Sequence, residues 1–237
     1  MSQFNYRAPD FRTSSIELGD RRCRVMFSLA QPRLALVDGF IDEAESRHLL
    51  ASVAGVLAPA TVFREQSGLR EVSELRTGWS AKLPKGGDEI LRRIERRAAV
   101  LAGLDMALAE PVEVIRYEPG QLYRPHYDWF DAATPGGRTR IASMGQRLAT
   151  VLIYLSDAAE GGSTLFPVLG LDVRPARGCA LFFSNVNDLG ETDRRVLHGG
   201  APVVTGCKQI ATCWFSSRRE PPSRKAVQTG PAKQGSM

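Results

Sequence analysis

The sequence has little of what marks a disulfide scaffold, a membrane span or an exported chain. Its four cysteines, Cys23, Cys179, Cys207 and Cys213, form no CxxC pair. Reduced thiols are therefore expected rather than a disulfide framework. No apolar run approaches the roughly 20 residues needed to cross a bilayer, and the stretch 148–155 is among the longest. The opening segment MSQFNYRAPDFRTSS lacks the apolar core of a secretory signal. A cytoplasmic location without membrane contact is the expectation.

A strong charge of one sign is also missing from most of the chain. The formal net charge is +5, but Arg218, Arg219, Arg224, Lys225 and Lys233 against Glu220 account for most of it. A basic tail makes weak contacts with polyanions. It does not turn a near-neutral body into a nucleic-acid binder, and no nucleic-acid partner is expected. Rich in Pro, Gly, Ser and Lys, residues 218–237 are expected to form a disordered tail. Histidine is scarce, with three in the chain: His48, His126 and His198.

What remains is a chain of 237 residues, 43% hydrophobic and 24% charged, suited to one globular domain. Residues 1–31 are polar and read as an irregular N-terminal extension. LALVDGF at 34–40 reads as a first strand, and Asp42 is placed to cap a helix running to about residue 54. Residues 58–87 contain short extended pieces. A second helix is predicted over 88–102, where Ile90, Leu91, Ile94, Ala98 and Leu101 recur at three- and four-residue intervals. Gly103 follows as its stop.

From residue 110 the period becomes that of strands, in PVEVIRYEPG, QLYRPHYDWF, RLATVLIYLSD, LDVRPARG, CALFFSNV and CKQIATCWFS. The glycine-rich segment 136–146 reads as a long loop beside the active site. Two helices followed by seven or eight short strands predict a mainly β fold over 32–217. The expected architecture is a double-stranded β-helix, or jelly roll, with the N-terminal helices packed on one sheet.

His126 and Asp128 lie two apart in an extended segment, so both side chains reach one face. A third metal ligand has to come from elsewhere. His198, beside glycines in VLHGGAP, is available, whereas His48 falls in the first helix and has no assigned role. Two imidazoles and one carboxylate form a facial triad that leaves three positions open on iron(II). Zinc on the same three ligands and a chance HxD are the competing readings.

Lys208 adds a second signal. By alternation it shares a face with Ile210, Thr212 and Trp214, and an inward ammonium needs an anion because desolvating it alone is costly. The distal carboxylate of 2-oxoglutarate would supply one. An edge-strand lysine reaching water is the alternative. EGGSTLFP offers a tight turn and a hydroxyl, Thr164, for the same carboxylate; an ordinary turn or strand threonine is the other reading. Strict alternation puts Tyr123 on the face opposite His126, although Pro125 interrupts the regularity there.

These blocks together resemble the prolyl 4-hydroxylase-like 2-oxoglutarate/Fe(II) dioxygenases. The similarity runs from PRLALVDGFIDEAE through SELRTGWSAKL, AEPVEVIRYEPGQLYRPHYDWF and QRLATVLIYLSDAAEGGSTLFP to LHGGAPVVTGCKQIATCWF. It implies an enzyme that hydroxylates an unactivated C–H bond and releases succinate and CO2. Fe(II), 2-oxoglutarate and O2 are the implied cofactor and cosubstrates, with ascorbate as a candidate reductant. It implies His126, Asp128 and His198 as catalytic metal ligands, and Lys208, Tyr123 and Thr164 on 2-oxoglutarate. Arg147, Trp214, Arg76 and Trp79 are then expected to face the prime substrate. Retention of Asp128, which related halogenases replace by a small residue, implies hydroxylation. One departure stands out: Gly78 occupies a place where relatives carry a small polar residue, and the bulky Trp79 follows it. Core packing is the other reading of Trp79.

Peptidyl proline is the implied substrate. A free amino acid or natural-product intermediate is the runner-up, and a non-enzymatic metal-binding β-barrel belongs to a different class.

Overall fold

The strand Arg147–Tyr154 is buried along its whole length, because both of its faces are covered. The computed structural model describes residues 5–158 and 160–219. In it this strand is central to a nine-stranded sheet. Named by first residue, the order is Ser15, Arg22, Leu34, Ala180, Arg147, Lys208, Glu113, Trp79, Ala58. The pairs flanking this strand are antiparallel. On one face, Val151, Ile153, Ala211, Cys213 and Phe215 pack with Leu49, Leu91, Ile94 and Leu101 of the helices. On the other, Leu152, Tyr154, Phe183 and Ile210 pack with Phe166 and Val173. The last two residues belong to a four-stranded sheet ordered Leu171, Thr164, His198, Tyr123. Two facing β-sheets with helices on the outer face of the larger one give the jelly roll that the pattern of elements predicts.

Both predicted helices form, spanning Glu43–Ser52 and Glu89–Ala102. Asp42 makes a reciprocal capping box with Glu45, while Asp88 accepts from Leu91 N and Gly103 closes its helix with a left-handed conformation. His48 is half-buried and lies 2.9 Å from the cap carboxylate of Asp88, so it ties the two helices together rather than facing solvent freely. Arg97, 1% exposed, bonds Glu45, Asp20 and the Phe40 carbonyl.

Two expectations need correction. The N-terminal extension is not irregular: Ser15–Glu17 and Arg22–Leu29 are strands of the large sheet. Tyr6, Phe11 and Leu18 are buried against the helix-side core. The apolar residues there are too sparse to show a period, but each is buried in the helix-side core. Residues 136–146 are not a loop, since Pro135–Met144 is helical. Thr134 caps it and proline takes its first turn, signals that the two glycines obscured. Those glycines face the hairpin Thr61–Phe63/Arg70–Val72, and a Cβ on Gly136 would lie 2.5 Å from the Glu65 carbonyl. Thr164, read as a turn or strand residue, lies in the strand Thr164–Phe166. The expected disorder of the basic tail concerns residues that mostly lie outside the described ones.

Candidate active site

The small sheet brings the three predicted ligands together. Strands Tyr123–His126 and His198–Gly200 pair with His198 opposite His126, their ring centroids 4.4 Å apart. Gly199 permits the approach, because a Cβ there would meet the Tyr123 carbonyl at 2.9 Å. Asp128 sits just past the strand end, with its oxygens 3.8 Å from His126 Nε2 and 3.6 Å from His198 Nε2. Ligand atoms of all three lie within 4.8 Å of one another.

The donor set suits a divalent metal. Each Nδ1 meets a backbone carbonyl, Arg124 O at 2.9 Å and Val196 O at 3.0 Å. A carbonyl only accepts, so each Nδ1 carries the proton and each Nε2 presents a lone pair to the cluster. Burial first, and His198 second, hold His126 near a pKa of about 3, so it is neutral and able to ligate. Burial pushes the Asp128 carboxyl up, but His198, His126, Arg147 and the Thr150 hydroxyl outweigh it and keep it ionised.

A cavity runs inward from the triad between Tyr123, Thr164, Gly200, Lys208 and Ile210. At its inner end, Lys208 Nζ has only long contacts, to Thr164 Oγ1 at 3.4 Å and the Ser163 carbonyl at 3.5 Å. Burial lowers its pKa to about 7, slightly opposed by Asp172. An ammonium 2% exposed, with no carboxylate in contact among the described residues, is a receptor for an anion. The Tyr154 hydroxyl donates to Thr164 Oγ1 at 2.9 Å, which fixes that oxygen beside the ammonium.

Tyr123 departs from strict alternation. Its ring stacks on His126 at 3.6 Å, on the same side. A register shift between His198 and Gly200 absorbs an extra residue in the 123–126 strand, at the place where Pro125 interrupts it. Burial raises the phenol to about 12. A second register shift, between Arg147 and Ala149, turns Arg147 toward the site.

Outside the triad lies a cavity of about 370 Å³ lined by Arg76, Arg147, Trp214, Phe63 and Arg70. Arg147 is clamped by Glu110 at 2.6 and 2.8 Å and lies 4.2 Å over the Trp214 ring. Arg76 contacts Glu113 at 3.4 Å and the Tyr123 ring at 5.1 Å. Trp79 is not there. At 39% exposure it sits neither in the core nor on either cavity, on a strand paired with Ala58–Pro59 and Glu113–Tyr117. Its neighbour Gly78 explains the departure from the family pattern: a Cβ would lie 2.7 Å from the Tyr117 ring and from the Arg116 carbonyl. The sequence reading missed Glu110, Glu113, Thr150, Asn185 and Tyr117. They touch the site through strand neighbours far away in the chain, and local spacing carries no signal for that.

Residues 112–216 match the model of the 2OG-Fe(II) oxygenase superfamily. Prolyl 4-hydroxylase 5 of Arabidopsis thaliana is 34% identical over 206 residues, which cover 78% of this chain and 68% of that protein. The chain belongs to the 2OG-Fe(II) oxygenase superfamily. Within it, the oxygenase is of the prolyl 4-hydroxylase type. Prolyl 4-hydroxylase subunit alpha-2 of Gallus gallus is 36% identical over 162 residues, covering 68% of this oxygenase and 30% of the relative. Among solved structures, the viral collagen prolyl hydroxylase of Paramecium Bursaria Chlorella virus-1, in complex with 2OG, is similar with a TM-score of 0.59. It is 29% identical, and the match covers 76% of this oxygenase and 94% of that chain. A Trichoplax adhaerens prolyl hydroxylase, solved with a hypoxia inducible factor peptide fragment, shares the fold at a TM-score of 0.58 and 19% identity, covering 78% and 83%. The chain is thus a dioxygenase dependent on Fe(II) and 2-oxoglutarate.

Proposed function

We propose that this oxygenase hydroxylates a proline residue held within a peptide, with His126, Asp128 and His198 as the iron ligands. The observation that carries the reading is one cavity with a His/Asp/His cluster at its mouth and a buried, anion-seeking Lys208 at its inner end. When bound, Fe(II) and 2-oxoglutarate supply O2-dependent C–H hydroxylation coupled to release of succinate and CO2. The chain supplies position and dryness. Lys208 and Thr164 hold the far carboxylate of the cosubstrate, and Tyr123 walls its cavity. Glu110 locks Arg147 over Trp214, which presents a rigid cationic and aromatic wall to the substrate.

A peptide suits the outer cavity better than a free amino acid. That cavity adjoins a groove of about 350 Å³, and the two share Trp129, Phe130, Asp131 and Arg194. A chain extending from the target residue has somewhere to lie. The related viral and plant proteins are named for prolyl hydroxylation, which supports the same substrate here. A cytoplasmic site of action belongs to this reading and rests on the cysteine usage. The decisive experiment incubates the iron-loaded enzyme with proline-containing peptides and, separately, with free amino acids. Succinate release and a gain of one oxygen are followed by mass spectrometry. Oxygen gain on a peptidyl proline is expected, and gain on free amino acids alone would overturn the peptide reading.

A further inference from the structure

The carboxylate of Asp128 is not left to orient itself. Its Oδ2 accepts a 2.8 Å bond from Thr150 Oγ1, and Thr150 Oγ1 in turn accepts at 3.0 Å from Asn185 Nδ2. Thr150 and Asn185 are 1% and 0% exposed, so water does not compete for either bond. Hydrogen-bond chemistry allows one direction for this chain. An ionised carboxylate only accepts, so the single hydroxyl proton of Thr150 must point to Asp128. Thr150 is then left with lone pairs, and its second partner has to donate. The amide nitrogen of Asn185 does so, which leaves Asn185 Oδ1 buried without a partner among the described residues. A buried orphan acceptor costs free energy. Leucine or valine would fill the space without that cost, so the orphan marks the NH2 group as what the position requires.

The main chain of Asn185 extends the same network to a second ligand. Its carbonyl accepts from Asp193 N, and the Asp193 carboxylate caps the turn Arg194–Val196. The Val196 carbonyl holds His198 Nδ1. One residue just past the end of the strand Ala180–Ser184 thereby sits between an acidic candidate ligand before it in sequence and an imidazole after it.

We infer that Asn185 is a positioning residue for the metal site: by donating to Thr150 it forces the threonine proton onto Asp128 and fixes how that carboxylate presents its two oxygens. The inference rests on the triad being the metal site. It differs from a packing role in one respect: Asn185 acts only while residue 150 carries a hydroxyl to be oriented.

The test titrates full-length, metal-free wild type and variants with Mn(II) and Co(II), reading dissociation constants by calorimetry and the Co(II) visible spectrum. Melting curves of the metal-free proteins report folding. Asn185→Ala and Thr150→Val are each expected to weaken metal binding roughly 10- to 100-fold, and Thr150→Ser, which keeps the hydroxyl, to stay near wild type. Asn185→Asp should bind more weakly than Asn185→Ala, because a second acceptor draws the Thr150 proton away from Asp128. The double variant Thr150→Val/Asn185→Ala should bind no worse than Thr150→Val alone. Asn185→Ser replaces Asn185→Ala in the cycle if the alanine variant does not fold. Losses that multiply in the double variant would overturn the inference, as would binding by Asn185→Asp that equals or exceeds that of Asn185→Ala. A wild type that takes up neither ion would sink the metal reading itself, a result distinct from either of these.

Discussion

Asp128 and Lys208, which line one cavity, are the side chains to which the proposed function gives the metal and the cosubstrate carboxylate. Asp128 supplies the negative charge among the three ligand groups, and without it two neutral imidazoles hold a divalent ion weakly. Asp128→Ala is expected to lose bound iron and all coupled turnover, with metal analysis and succinate release as the readouts. Lys208 yields a pH prediction. Its folded-state pKa of about 7 lies below the ordinary 10.5 because of burial. Between those two values the folded, ligand-free protein holds fewer protons than the unfolded chain, so its stability rises with pH across that window. Melting temperatures of the ligand-free wild type should rise from pH 7 toward pH 9 relative to Lys208→Met, which has no such proton. Binding of the 2-oxoglutarate carboxylate needs the charged form, so it should take up a proton and weaken above pH 7. Calorimetry in buffers of different ionisation enthalpy measures that uptake. Lys208→Met should also cost roughly 2–5 kcal/mol of 2-oxoglutarate affinity, as loss of a buried charge pair does.

Strands and their irregularities decide where these side chains point. The alternation that put Lys208, Ile210, Thr212 and Trp214 on one face holds along a regular strand, and all four line the inner cavity. It failed at Tyr123 and would fail at Arg147, because a register shift accompanies each strand there. An extra residue reverses the face of everything beyond it, and no local composition announces it except Pro125. Arg147, once turned inward, depends on Glu110 from the neighbouring segment. Both side chains are nearly inaccessible, and among the described residues no other carboxylate sits closer to Arg147. Glu110→Gln leaves a buried guanidinium with Asp128, 3.8 Å away, as its remaining ion-pair partner and is expected to destabilise the fold by about 3–5 kcal/mol, as measured by chemical denaturation. Gly78→Ser tests a different constraint. The space is taken by the Tyr117 ring and the Arg116 carbonyl, so the substitution should cost roughly 1–3 kcal/mol by overpacking and disturb the cavity that Tyr117 lines.

At the scale of the whole molecule, the N-terminal segment is a structural part of the catalytic domain. Tyr6 donates to the Ala102 carbonyl, and Phe11 rests against Phe182 at 5.1 Å. Deleting residues 1–19 removes Tyr6, Phe11 and Leu18 from the core, each worth on the order of 1.5–3 kcal/mol. A lower denaturation midpoint is expected, and an unchanged midpoint would show that the segment is dispensable. The sequence by itself determined the first two helices, through their caps and apolar period, and the three candidate ligands, because so few histidines exist to choose from. It also determined the inward lysine, since alternation is a property of the local backbone. Only the tertiary structure decided that the N-terminal residues join the large sheet, that Gly78 yields to Tyr117, and that Glu110, Thr150 and Asn185 support the site. Those facts depend on which surfaces meet. Contacts between strands far apart in the chain are set by the register and packing of the whole sandwich, and no window of neighbouring residues contains that information.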